Sequence, residues 1–266
     1  MFNNRQKAIM IKDIRGITEN KRYFSVLTIL PLLFSVVFPT IMLLTVLLSP
    51  TDSSSFNEMA RILPDFQNLD QEQLIHDLLS LMVNNVIPIF FLIIPIMTAS
   101  VMAASSFVGE KEKRTLETLF YSPLSIREIF QAKVYASLFI AILVTYVSFI
   151  LTVIVVEAEV YIFEGILLPL SINWLWVMLL IVPSITIISI VLIVKGSAKS
   201  TTIEESQQKA AFLILPLALL LVGQFTGILV FGGGVVISIG IILLLVALLL
   251  LRYSMSGFTY ERLLDR

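Results

Sequence analysis

The chain has 266 residues, of which 58% are hydrophobic and only 14% charged, and its mean hydropathy is +0.97. Soluble domains carry about 25% charged residues, so this composition excludes an ordinary soluble fold and places the chain among integral membrane proteins. The absence of cysteine excludes disulfides, thiolate metal sites and cysteine nucleophiles, while the net charge of -1 conceals a charge distribution that is far from even.

Residues 1–22 are polar and basic, with Arg5, Lys7, Lys12, Arg15, Lys21 and Arg22 against Asp13 and Glu19. Ile9, Met10, Ile14 and Ile17 interleave with them at near-helical spacing, which predicts an amphipathic helix on the membrane surface. Such a helix can serve as an elbow near a cytosolic partner or simply as a basic anchor. Residues 23–48 form the first apolar run, long enough to span with some tilt, and Pro31 and Pro39 are expected to kink it. Ser49 to Asn84 is read as leaving the membrane, with Asp70 placed to cap a short helix from Gln71 to about Val83. Leu74, Ile75, Leu78, Leu79 and Met82 give that helix an apolar face.

The second span is expected at 86–107, with prolines at Pro88 and Pro95 and a run of Ala and Ser that permits close helix contact. Nine charged side chains then fall between Val108 and Lys133. A Lys, Arg or Asp at the centre of a spanning helix costs about 3 kcal/mol, so this stretch is predicted to sit in water on one side of the membrane. Gly109 marks its start, and no Gly or Pro interrupts Glu110 to Tyr121, where Glu110 stands four residues before Arg114 and Leu116, Leu119 and Phe120 share a face. Ser122-Pro123 ends this helix, and Ser125-Ile126-Arg127-Glu128 is a capping box that starts the next one.

The third span is expected at 134–156, followed by an acidic outer loop from Glu157 to Asn173, and the fourth at 174–194, opened by Trp174 and Trp176 as an interfacial aromatic belt. Lys195 to Lys209 reads as an inner linker. Its Gly-Ser-Ala-Lys-Ser-Thr lacks the glycine spacing of a phosphate-binding loop. The uncharged run from Ala210 to Leu251 is about twice the length of one helix, and Phe231-Gly232-Gly233-Gly234 divides it into spans at 210–230 and 235–251. Residues 252–266 form a polar tail. The predicted fold is thus an all-α integral membrane protein with a 1–22 interfacial helix, a six-span body over 23–251, and a charged elbow between spans 2 and 3.

In that topology seventeen of the eighteen Lys and Arg residues lie on one side, Arg61 being the exception, so the elbow and both termini are assigned to the cytoplasm of a plasma-membrane protein. The six apolar runs contain no Asp, Glu, Lys, Arg or His, which argues against an ion-coupled carrier, since such proteins keep relay groups at membrane depth. No nucleophile with a base, metal-ligand cluster or phosphate cradle appears, and no nucleic-acid partner is indicated.

Glu110-Lys111-Glu112-Lys113-Arg114-Thr115-Leu116-Glu117, followed by Ser122-Pro123-Leu124-Ser125, resembles the cytosolic signature of the ABC-2-type permeases, the membrane subunits of ATP-binding-cassette exporters. The likeness covers about sixteen positions, and Arg114-Thr115 stands where many members have a glycine. It implies a coupling helix docked on a separate ATPase subunit that would bind ATP and magnesium, with no cofactor or enzymatic activity in this chain. Carried onto this sequence, the ATPase-coupling residues are Glu110, Lys113, Arg114, Leu116, Glu117, Leu119, Phe120, Pro123 and Ser125. The resemblance further implies a second permease, identical or related, and export of an amphipathic peptide, a lipid-like molecule or a drug. The rival readings are a structural or sensory membrane subunit that binds a cytosolic partner, and an ion-coupled secondary carrier.

Overall fold

The computed structural model describes residues 3–48, 71–112, 115, 124–197, 202–212, 214–225 and 233–256. These residues form helices and no strand. Helix α1 is Asn4–Thr18, α2 Lys21–Leu47, α3 Ile75–Glu112, α4 Ile126–Glu164, α5 Asn173–Gly196, α6 Ile203–Ala211, α7 Ile214–Phe225 and α8 Gly233–Ser256. Five of them, α2, α3, α4, α5 and α8, are long and apolar enough to cross a membrane.

The helices divide into an inner pair and an outer ring. In α3, 83% of the apolar stretch is buried inside the chain and in α5 72%, against 28% in α2 and α4 and 17% in α8. The small residues of α3 explain why it becomes the hub: Ala99, Ala103 and Ala104 are fully buried and let neighbouring backbones approach. On α4, Thr145, Ser148 and Thr152 face inward while Val147, Ile150 and Ile154 are exposed toward lipid. Several inward hydroxyls are satisfied by their own helices, as Thr145 donates to the Ala141 carbonyl at 2.7 Å and Thr186 to the Val182 carbonyl at 2.6 Å.

Three spans carry a five-residue π turn, Leu33–Val37 in α2, Met82–Val86 in α3 and Val177–Ile181 in α5. Each ends two residues before a proline: Pro39, Pro88 and Pro183. The cause is steric. A proline ring clashes with the carbonyl four residues back, and widening that turn to i→i+5 spacing relieves the clash. The widened turn then leaves one carbonyl without a donor, because its i+5 partner is the proline. In α3, Ile87 N–H bonds the Met82 carbonyl, and the next carbonyl, Val83, receives the Trp174 indole N–H at 3.1 Å. In α5, Val182 N–H bonds the Val177 carbonyl, and the next one, Met178, receives the Tyr146 hydroxyl at 3.0 Å. Two prolines thereby create the docking points that fasten α3 to α5 and α5 to α4.

Several sequence expectations change. Trp174 is no interfacial belt residue; it is buried beside Phe91 and Phe149, where its N–H is needed. The helix from Gln71–Leu81 does not stand apart but runs through the π turn into α3, with Leu78 and Leu79 packed against Leu43 and Val46. The Asp70 cap lies outside the described residues. The acidic outer loop begins later than expected, because α4 continues through Glu157 and Glu159 to Glu164 and stops at Gly165, whose φ of 68° is the left-handed geometry glycine tolerates. At 39 residues α4 is about 58 Å long and projects beyond a hydrocarbon core of about 30 Å. Gly109, expected as a break, is helical. Its missing Cβ admits Ile203 of α6, whose Cδ1 lies 3.2 Å from where a Cβ would stand, so the inner linker folds back onto α3.

Removing only the Tyr146 hydroxyl, by Tyr146→Phe, is expected to lower stability by about 1–3 kcal/mol, the penalty of an unpaired buried carbonyl. Combining it with Pro183→Ala, which restores a backbone N–H, should shrink that loss; thermal unfolding of the detergent-solubilised single and double variants measures both.

Candidate functional site at the basic end of the bundle

Helix α1 lies across the end of the bundle where α3 finishes and α4 begins. Its buried stripe is Gln6, Ile9, Asp13 and Ile17, at the spacing of one helix face. Ile9 packs on Ile129 and Ala132 of α4, and Ile17 on Leu27, Val101 and Met102 of α2 and α3. The apolar side of α1 therefore rests on protein, where the sequence reading laid it on the membrane surface. Its remaining faces expose Arg5, Lys7, Lys12 and Arg15.

An acid on this buried stripe demands a partner, and Lys133 supplies it. Lys133 is 2% exposed. Its Nζ lies 3.3 Å from Asp13 Oδ2, 3.0 Å from Glu110 Oε2, 2.7 Å from the Ser106 carbonyl and 3.3 Å from Ser106 Oγ. Ser106 Oγ in turn donates to Asp13 Oδ2 at 2.5 Å. Lys12 closes the group from the water side, donating to Glu110 Oε1 at 2.8 Å. The Phe107 ring, 5.6 Å from Lys133 Nζ, covers it from another side. Two acids and two bases make a neutral quartet, which is how charges are carried below a protein surface without an uncompensated one. Burial pushes the Lys12 ammonium down, but the hydrogen bond and charge of Glu110, with the charge of Asp13, outweigh it and hold Lys12 above its ordinary value.

The quartet ties together the two ends of the predicted elbow. Glu110 stands two residues before the end of α3, and beyond it Thr115 N–H donates to the Glu110 carbonyl at 2.9 Å. At the other end Ser125 caps α4: its Oγ accepts the Glu128 N–H at 3.3 Å, and Glu128 Oε2 accepts the Ser125 N–H at 2.8 Å and its hydroxyl at 2.7 Å. Nearby, Arg22 pairs with Glu204 of α6 at 2.8 Å, bringing the linker helix into the same layer. Among the described residues no three His, Asp or Glu side chains gather as a metal site.

Of the residues named as ATPase-coupling from the sequence, Lys113, Arg114, Leu116, Glu117, Leu119, Phe120 and Pro123 lie outside the described residues. Ser125 is the α4 cap. Glu110, expected as an outward polar contact paired with Arg114, is instead buried, with its carboxylate held by Lys12 and Lys133. The stretch from Val108 to Lys133 is thus aqueous neither at its first residues nor at its last. Asp13, Ser106 and Lys133 were not singled out from the sequence. The available signal was Asp13, an acid four residues from both Ile9 and Ile17 on one stripe.

Replacing Lys133 with Met leaves two buried carboxylates facing one base and is expected to cost about 3–5 kcal/mol, since removing one partner strands a charge. Adding Asp13→Asn restores neutrality and should recover part of the loss, with a coupling of about 0.5–3 kcal/mol in a double-mutant cycle of thermal unfolding.

The sequence model of a family described as ABC-2 family transporter protein matches residues 7–233, most of the chain, from within α1 through all of α2 to α7. No curated protein and no solved structure matches the chain.

Proposed function

Because the chain belongs to the ABC-2 transporter family, it serves as a multi-pass membrane permease in an ATP-binding-cassette transporter, and we propose that residues 110–125 are where a separate ATPase subunit grips it. ATP and magnesium would be bound and turned over in that subunit, and this chain would supply the path through the membrane. The observation that carries this reading is mechanical. The segment between Glu112 and Ser125 joins the most buried of the long helices, α3, to the 39-residue α4, and both junctions are fastened to α1 through Glu110 and Lys133. A push delivered at either junction reaches the hub of the bundle.

The charge distribution supports placing this end in the cytoplasm, together with both termini, in a plasma-membrane protein. The uncharged run from Ala210, which contains α7, supports a sixth crossing in addition to the five long helices. Six spans make half a transporter, so the assembly we propose holds two permeases, identical or related, and two ATPases disposed symmetrically. Lys113, Arg114 and Glu117 would give the ATPase its polar contacts and Leu116, Leu119 and Phe120 its apolar one, with Pro123 as the corner and Ser125 fixing the return into α4. Glu110 acts from behind, as the fastener of the segment. Transport runs outward, and the apolar runs suit an amphipathic peptide, a lipid-like molecule or a drug.

Mild-detergent purification of the chain from its native membrane should recover an ATP-hydrolysing subunit. Glu117→Lys should reduce that recovery about tenfold, equivalent to 1.4 kcal/mol, with the thermal stability of the permease unchanged. Recovery of the chain with no ATPase, or a charge-reversed variant that binds and couples as before, overturns the docking assignment.

A further inference from the structure

At the end of the bundle opposite the quartet, one acid has too few partners for its burial. Glu159 lies about 39 Å along α4 from Lys133 and so stands past a hydrocarbon core of about 30 Å. It sits between Val156 and Val160, both fully buried. Thr40 of α2 donates its hydroxyl to Glu159 Oε1 at 2.5 Å, whereas Glu159 Oε2 is shut away from water with no donor. Crossing to another helix is particular to Thr40, since Ser25 and Thr28 of α2 donate to carbonyls four residues back.

Among the described residues no base pairs with this acid. From Tyr23 to Leu47, α2 carries no charged side chain, and neither does the stretch from Gly165 to Trp176. On α4 itself the neighbouring charges are Glu157, whose Oε2 accepts the Leu168 N–H at 3.3 Å, and Glu164. The first turns of α3 bring His76 and Asp77, which lie 3.4 Å from each other and are half exposed.

We infer that Thr40 and Glu159 form a proton-operated latch between α2 and α4, closed while Glu159 carries a proton and released when the carboxylate ionises and turns to water. A neutral carboxyl keeps the Thr40 bond and buries no charge, whereas an ionised one puts charge on an oxygen that has neither donor nor base. Burial accordingly holds the Glu159 carboxyl above its ordinary range, with the Thr40 hydroxyl offsetting part of the rise. The latch is therefore complete below the ordinary carboxylate range, near about pH 4, and is lost as pH rises through the raised value. Helix α2 is also built to respond. Its π turn, Leu33–Val37, leaves the Phe34 carbonyl without an i+5 donor because that residue is Pro39, and among the described residues no neighbouring side chain donates to it, unlike Val83 and Met178. Beside it Ser35 Oγ is buried without a partner. The interhelical bonds that pin the turns of α3 and α5 are thus missing from α2. The role of the latch rests on the permease reading, in which this end faces outward and α2 parts from α4 as cargo leaves.

The chain has no cysteine, so nitroxide labels can be attached at Ile41→Cys and Ile162→Cys alone, two exposed positions beside Thr40 and Glu159. Spin–spin distance measurements on the full-length chain in phosphatidylcholine nanodiscs, without ATPase or nucleotide, should give one short separation at about pH 4 and a longer, broader one at about pH 8. Glu159→Gln, which is neutral and still accepts from Thr40, should stay short at both. Thr40→Val removes the bond that favours the closed form and should lengthen at lower pH than the parent. On the unlabelled parent, the infrared band of a protonated carboxyl should fade over the same pH range and be missing from Glu159→Gln. A separation that is the same at both pH values, a Glu159→Gln chain that still lengthens, or an infrared band that the Gln variant retains in full overturns the latch. Because no ATPase takes part, these outcomes bear on the latch alone, and failure to recover an ATPase bears on the coupling assignment alone.

Discussion

The ammonium of Lys133 sits almost out of reach of water with two carboxylates, a carbonyl and a hydroxyl around it, and the basic end of the molecule is arranged to keep it there. Each group comes from a different part of the chain: Asp13 and Lys12 from α1, Ser106 and Glu110 from α3, Lys133 from α4. A buried pair of this kind adds little net stability over apolar packing, because desolvation offsets most of the attraction, but it is intolerant of alternatives. If α1 slid by one residue, Asp13 would leave the stripe and Lys133 would lose a counter-charge. The quartet therefore fixes register where apolar contacts such as Ile9 on Ala132 would tolerate slippage.

The opposite half is organised by proline. Pro88 and Pro183 each force a π turn and leave a carbonyl that must be satisfied from another helix, by Trp174 and Tyr146. In an apolar surrounding such a bond has no competing water, so a local backbone defect becomes an interhelical link. Residues of the same turns, Asn84, Asn85, Val177 and Ile181, line the apolar cleft among α3, α5, α7 and α8. One end of the bundle is thus closed by charge and the other held by hydrogen bonds between helices.

Much of this was readable beforehand, for identifiable reasons. Five of the long apolar runs and the Ser125 capping box follow from local chemistry and periodicity, and the structure shows them where the residues place them. Element ends were read less well. Glu157, Glu159 and Glu164 looked like a loop because charge ordinarily ends a span, yet α4 carries them as a projecting helix in which Thr40 donates to Glu159 at 2.5 Å. Gln71–Leu81 looked like a separate helix because its polar face resembles a surface segment, although it is the first part of α3.

The sequence by itself determined that the chain is a helical membrane protein, that a charged stretch interrupts its apolar runs and which family it belongs to, because composition, periodicity and short motifs act over a few residues at a time. Only the tertiary structure decided that Glu110 turns inward, that Asp13 and Lys133 meet across 120 positions, that Trp174 is a buried donor and that a cleft opens among four helices. The physical reason is shared by all four. A charge or a donor shows in sequence what it needs, but the partner that meets the need is chosen by helix packing, which brings distant segments together and leaves no local signal of having done so.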